Sequence, residues 1–294
     1  MKDTIFTGAA VAIVTPFNED GINYPELKKL IDFNIENGTD AIVIAGTTGE
    51  SSTMTDDEHR EVIKFTVEYV NRRIPVIAGT GSNDTMYALG LSKYAEEVGV
   101  DGLLLVTPYY NKTTQKGLIK HYTYIADRVN VPIILYNVPS RTGVNISLDS
   151  YVELAKHPNI VATKEASGDL STIAKIRSAC GDNLHVYSGN DDQIVPILSL
   201  GGKGVISVLS NVMPKEAHDI CKLYFEGKVK ESSDLQVKYL DLINALFIEV
   251  NPIPVKTALK LMGYNVGPLR MPLFDMEEKN LEVLRKELLK NNLV

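Results

Sequence analysis

The segment NIVATKEASGD, residues 159–169, runs largely apolar to Thr163 and then presents Lys164, Glu165 and a glycine turn. An ammonium group is costly to desolvate, so a lysine ending an apolar run needs either an exit to solvent or a task. A desolvated lysine falls from its reference pKa of about 10.4, and its neutral amine can attack a ketone to form an imine. Ile160, Ala162 and Lys164 share parity along a strand and are expected on one face, with small Ala162 leaving room beneath the lysine. The alternative is a lysine that snorkels to solvent from a strand end, and spacing alone does not separate the two.

Comparable polar clusters follow other apolar runs: GTTGES (46–51), GTGSN (79–83), TPYYN (107–111), YNVPSRTG (136–143) and SGNDD (188–192). They are rich in hydroxyls, which can relay protons, and include one arginine, Arg141. The histidines at 59, 121, 157, 185 and 218 show no HxxxH or HxH spacing, so no metal site is expected. GTGSN lacks the third glycine and the lysine of a phosphate loop, and GGKG (201–204) precedes an apolar run. Both read as turns.

The elements that must position these groups are eight apolar, β-branched runs: AVAIV (10–14), AIVIA (41–45), PVIAG (75–79), GLLLV (102–106), PIILY (132–136), IVAT (160–163), LHVYS (184–188) and GVISV (204–208). Runs that do not alternate with polar residues are expected of parallel strands covered on both faces. Helical patterns separate them. Leu27, Leu30, Ile31 and Ile35 form one stripe with Gly38 placed to end it, and Thr55 with Glu58 makes a capping-box pattern ahead of Val62, Phe65 and Val70. Eight consecutive βα units predict an α/β fold, a closed (β/α)8 barrel over residues 1–225. An open doubly wound sheet is the alternative, disfavoured by the unit count and by the lack of GxGxxG after the first strand. Residues 226–294 are helix-patterned, broken at Asn251-Pro252 and Gly263, and are expected to form a small C-terminal helical domain. In such a barrel, chemistry gathers at the C-terminal ends of the strands, where the polar clusters fall, and GGKG lies at the opposite end.

The 294 residues are 44% hydrophobic and 23% charged, with a formal charge of −7, which argues against a nucleic-acid surface. Cys180 and Cys221 form no CxxC motif and suit a reducing cytoplasm. The opening MKDTIFTGAAVAIVTPF reads as a first strand rather than a secretory signal, and no apolar run approaches a membrane span.

Taken together, GTTGES, TPYYN, YNVPSRTG, KEASGD and NPIPVK resemble the dihydrodipicolinate synthases of the pyruvate-dependent class I aldolase superfamily, in order and from about Phe6 to Leu293. The resemblance implies a cytoplasmic homotetramer that condenses pyruvate with L-aspartate 4-semialdehyde, the first committed step toward diaminopimelate and lysine, without a cofactor. By motif, Lys164 takes the place of the Schiff-base lysine and Tyr136 that of the general acid/base. Thr47 links Tyr136 to Tyr110, which reaches in from a neighbouring subunit. Thr48 takes the pyruvate carboxylate, the Ile206 carbonyl lies beside the keto acid, Gly189 lines the pocket, and Arg141 takes the semialdehyde carboxylate.

Arg141 and GTTGE, rather than GSTGE, favour the synthases over N-acetylneuraminate lyases and 2-keto-3-deoxy sugar-acid aldolases. A non-catalytic keto-acid-binding barrel would be expected to lose Lys164 or Tyr136. The resemblance also implies a degenerate lysine-binding allosteric site. Ser51, His59, Gly81, Asn83 and Tyr109 match lysine-sensitive relatives, whereas Tyr87 replaces a glutamate and Asp56 a histidine.

Overall fold

A computed structural model of the chain describes residues 2–294. Eight parallel strands close into a barrel: β1 (Gly8–Ala12), β2 (Ala41–Ile44), β3 (Val76–Gly79), β4 (Gly102–Val106), β5 (Ile133–Asn137), β6 (Ile160–Glu165), β7 (His185–Ser188) and β8 (Gly204–Ser207). β1 joins the two ends of the ring, with Ala10 opposite both Ile206 and Ala41. Apart from half-buried Val106, every strand residue is buried, which is why the runs lack alternation. The open-sheet alternative is excluded by closure. β1 begins two residues before the AVAIV run, because its pairing with β8 and not its hydrophobicity sets its start.

The intervening helices are α1 (Tyr24–Glu36), α2 (Asp56–Val70), α3 (Thr85–Val98), α4 (Gln115–Ala126), α5 (Leu148–Leu154), α6 (Leu170–Cys180), α7 (Ile194–Ser199) and α8 (Pro214–Phe225). α1 buries Leu27, Leu30 and Ile31, and Gly38 beyond its end takes a φ of +87°. The Thr55–Glu58 capping box is formed, and Asp84, Thr114, Ser147 and Asp169 accept first-turn N–H groups at the starts of α3 to α6. A hairpin of Phe17–Asn18 with Gly21–Ile22 carried no clear sequence signal.

Two hydrophobic clusters divide the core. The larger joins the outward faces of the strands to the helices, and the smaller fills the barrel with residues such as Ala10, Ala41, Ile77, Ile134, Ala162 and Ile206. Phe6 stacks on Tyr187 at 4.3 Å deep in this interior, and the Tyr187 hydroxyl donates to the Phe6 carbonyl at 2.6 Å. Ile133 pairs with Ile160 but Ile134 pairs with Ala162, so Val161 is an extra residue in β6. The parity expected for Ile160 therefore fails. Ile160 packs outward with the helices, while Val161 and Ala162 face the interior.

Beyond the barrel lie α9 (Val229–Lys238), α10 (Leu240–Ala245), α11 (Ile253–Leu261) and α12 (Glu278–Lys290). Leu242, Val255, Leu259 and Leu284 belong to the barrel's outer cluster, so this helical region is packed on the barrel. The link between α10 and α11 reaches the barrel mouth at Asn251, which lines the cavity there. No helix of the described residues is long and apolar enough to cross a membrane.

Candidate active site

Tyr136 and Lys164 are register partners on β5 and β6, so both side chains enter the barrel mouth from neighbouring strands. The Lys164 ammonium stands 4.4 Å from the centroid of the Tyr136 ring. The lysine is only 7% exposed, and burial lowers its pKa to about 8, against the Asp191 carboxylate and with the help of Arg141. Its sequence neighbour Glu165 is not its partner. Glu165 points to the other face of the strand, where it accepts from Asn137 at 2.9 Å, from Ser167 at 2.8 Å and from the Tyr151 hydroxyl. Gly189 leaves the lysine its room, because a Cβ there would stand 2.7 Å from Ala166 Cβ and 3.2 Å from Lys164 Cε.

The turn after β2 supplies the hydroxyls. Thr47 hydrogen-bonds the Tyr136 hydroxyl, which lowers a phenol pKa that burial pushes up. Thr48 is buried, and its Oγ1 accepts from Asn251 Nδ2 at 3.0 Å. Arg141, on the helical turn Pro139–Thr142, donates to the Asn251 carbonyl at 3.2 Å. Thr47, Thr48, Tyr136, Arg141, Lys164 and Gly189 thus line one cavity of about 160 Å³. Ile206 is fully buried inside the barrel, and Val208 is the residue of that segment that lines the cavity. Tyr110 is not brought in at all. It is 91% exposed on a residue of left-handed backbone, φ +66°.

Beyond Thr47 and Arg141 lies a wider cavity of about 370 Å³, lined also by Ser51, His59, Gly81, Tyr87 and Tyr109. His59 Nε2 donates to the Gly79 carbonyl at 2.8 Å, and burial lowers its pKa. Asp56 and Asn83 lie outside the lining. Arg60 donates to Asp56 at 2.7 Å and the Tyr87 hydroxyl also bonds it, so this carboxylate is already engaged and its pKa is lowered, chiefly by the arginine.

Two residues in this region were given no role from the sequence. Asn251 spans Thr48 and Arg141, and its Oδ1 is buried without a partner among the described residues. Asp191, 2% exposed, accepts the Val208 and Leu209 N–H groups at 2.9 and 3.0 Å. SGNDD placed Asp191 at a strand end, which was the available signal. Asn251 stands 110 residues beyond Arg141, and only the packing of the helical region brings them together. A lysine with a lowered pKa and a tyrosine beside a threonine hydroxyl in one cavity, with the buried Asp191 carboxylate acting on the lysine from behind its lining, are equipped for imine chemistry with proton relay.

Known proteins resemble the chain in sequence and in fold. The model of the dihydrodipicolinate synthetase family matches residues 5–291. The 4-hydroxy-tetrahydrodipicolinate synthase of Clostridium perfringens is 61% identical over 290 residues, covering 99% of this chain and all of that one. The chloride-inhibited dihydrodipicolinate synthase of Acinetobacter baumannii, solved in complex with pyruvate, is 45% identical with a TM-score of 0.96, covering 99% of this chain and all of that one. The enzyme of Cyanidioschyzon merolae, solved with lysine bound, is 40% identical with a TM-score of 0.96 over 99% of this chain and all of that one. By sequence and by fold, the chain belongs to the dihydrodipicolinate synthetase family.

Proposed function

We propose that this chain condenses pyruvate with L-aspartate 4-semialdehyde to 4-hydroxy-tetrahydrodipicolinate, the step that opens lysine and diaminopimelate biosynthesis. The observation that carries this reading is Lys164, buried beside Tyr136 with its pKa lowered to about 8. A fraction on the order of one-tenth of such lysines is neutral at pH 7, far more than for a solvated lysine. Its amine attacks the keto carbon of pyruvate, the keto oxygen leaves as water, and the cationic imine loses a methyl proton to give an enamine. The enamine carbon then attacks the aldehyde, and the substrate's own amine displaces Lys164 as the ring closes. Thr48 holds the pyruvate carboxylate, with the Ile206 carbonyl beside the keto acid. No step calls for a cofactor. The test is a coupled assay with both substrates beside N-acetylneuraminate cleavage, and faster cleavage than condensation overturns the reading.

Arg141 takes the semialdehyde carboxylate in this scheme, being the arginine that lines the cavity. Arg141→Ala is expected to raise KM for the semialdehyde about 10- to 100-fold, the value of charge-assisted hydrogen bonds, and to change KM for pyruvate far less. An equal rise in both would assign Arg141 to holding Asn251 instead.

We also infer a homotetramer in the cytoplasm, where the two free, buried cysteines stay reduced. Tyr109 and Tyr87 line the wider cavity and are exposed, as are their chain neighbours Tyr110 and Met86, and exposed apolar side chains of this kind fit a subunit interface.

The wider cavity is the degenerate lysine site, formed in part by Ser51, His59, Gly81 and Tyr109, with Asn83 nearby. Tyr87 supplies no charge for the ligand's ammonium, and Asp56 is held by Arg60. Losing that partner costs a partly buried ammonium about 2–5 kcal/mol. Activity is therefore expected to stay nearly unchanged at lysine concentrations that silence a sensitive relative, and Tyr87→Glu to bring sensitivity. Strong inhibition of the unmodified protein by submillimolar lysine would show that Asp56 suffices.

A further inference from the structure

We propose that Lys256, on α11, is a positioning residue for the reaction: through a buried ion pair with Glu50 it fixes the turn that presents Thr47 and Thr48 to the barrel mouth. This rests on the function proposed above. Lys256 Nζ stands 2.7 Å from Glu50 Oε1 and donates to the Pro268 carbonyl at 2.8 Å, and the two side chains are 2% and 0% exposed. Its ammonium also lies 4.7 Å from the centroid of the Phe17 ring. The second carboxylate oxygen of Glu50 accepts the Arg270 N–H at 2.9 Å.

A buried ion pair is weak evidence for a stabilising role, since apolar replacements are often neutral or favourable, so this pair asks for another reason. The turn offers one. Gly49 N–H donates to the Gly46 carbonyl and Glu50 N–H to the Thr47 carbonyl, both at 3.1 Å. Glu50 closes the turn in left-handed backbone, φ +55°, a conformation that persists in a residue with a Cβ only when its surroundings impose it. Lys256 and the Arg270 N–H are what hold its side chain. If Glu50 is released, the turn relaxes, and the Thr47 hydroxyl three residues back loses its aim at Tyr136. The same stretch of chain carries Asn251 onto Thr48, so the helical region acts on the barrel mouth at two points.

Lys256→Met keeps the side chain's length and removes its charge. Turnover is expected to fall about 10²-fold, the scale of a 1 Å misplacement of reacting groups, while borohydride still traps pyruvate on Lys164. The decisive measurement is a double-mutant cycle with Thr47→Val. If Lys256 acts through Thr47, the double variant turns over within about twofold of the slower single variant. Losses that multiply overturn the proposal, as does Lys256→Met with the turnover of the parent. Should the unpaired Glu50 prevent folding, Glu50→Gln/Lys256→Met removes both charges and enters the same cycle with the same expected and overturning results. Borohydride trapping of pyruvate by the parent, run alongside, reads the functional assignment separately.

Discussion

Lys164→Ala is expected to abolish turnover, and borohydride with pyruvate to add a reduced pyruvyl group to the Lys164 peptide of the parent but to no peptide of the variant. Removing a covalent nucleophile costs turnover up to about 10⁶-fold. Lys164→Arg does not rescue it, because a guanidinium stays charged and is a poor nucleophile. The pH dependence follows from the lysine's surroundings. Burial holds its pKa at about 8, so trapping in the parent rises with pH through that value as the neutral amine appears, and then levels. Alanine also removes a charge that is costly to bury, so the variant should fold at least as stably as the parent at pH 7. The stability sign agrees. The folded lysine releases its proton near 8 and the unfolded one near 10.5, so across that window the unfolded chain binds more protons and the parent gains stability as pH rises. That gain disappears in the variant. Labelling that persists in Lys164→Ala would overturn the assignment.

The barrel was legible because burial of both strand faces leaves continuous apolar runs, each followed by a helix, six of which are capped by a side chain. Thr55 with Glu58 announced α2 four residues after the turn that carries Thr47. The bulge was not legible. Val161 is as apolar as Ile160, and nothing in IVAT marks which of them is the extra residue. That is set by the register of β5 against β6. The parity argument nonetheless placed Ala162 and Lys164 correctly, because both follow the bulge. Of the site, position alone gathered the polar clusters at the strand ends, and the roles of Lys164, Tyr136, Thr47, Thr48 and Arg141 came only with the family resemblance. Asn251 and Lys256 fall in NPIPVK, one of the motifs that carry the resemblance, yet their reach to Thr48 and Glu50 is a product of packing and shows in no local pattern. Tyr110 is a different case. Within its own chain it stands in solvent and is absent from the cavity's lining.

Tyr136→Phe is expected to lower turnover about 10²- to 10⁴-fold, the range of general acid–base catalysis, with the protein folded and KM for pyruvate little changed. Phenylalanine keeps the ring that lies 4.4 Å from the Lys164 ammonium and fills the same buried space, so the lysine's environment is preserved and only the hydroxyl is lost. That hydroxyl is suited to hold and pass a proton. Burial raises its pKa, keeping it protonated, while the Thr47 hydroxyl and the Arg141 charge favour the phenolate when it forms. Thr47→Val removes the bond to Tyr136 without changing side-chain shape and should fall in the same range, and combining the two substitutions should cost little beyond Tyr136→Phe alone. If Tyr110 completes the relay from a neighbouring subunit, mixing inactive Tyr110→Phe with inactive Lys164→Ala restores activity. A mixed pair then contains one site with its own Lys164 and an intact Tyr110 from the other chain. Failure to restore any activity, with subunit exchange demonstrated, would place Tyr110 outside the relay or within its own chain. A Tyr136→Phe variant with parental turnover would remove the tyrosine from proton transfer altogether.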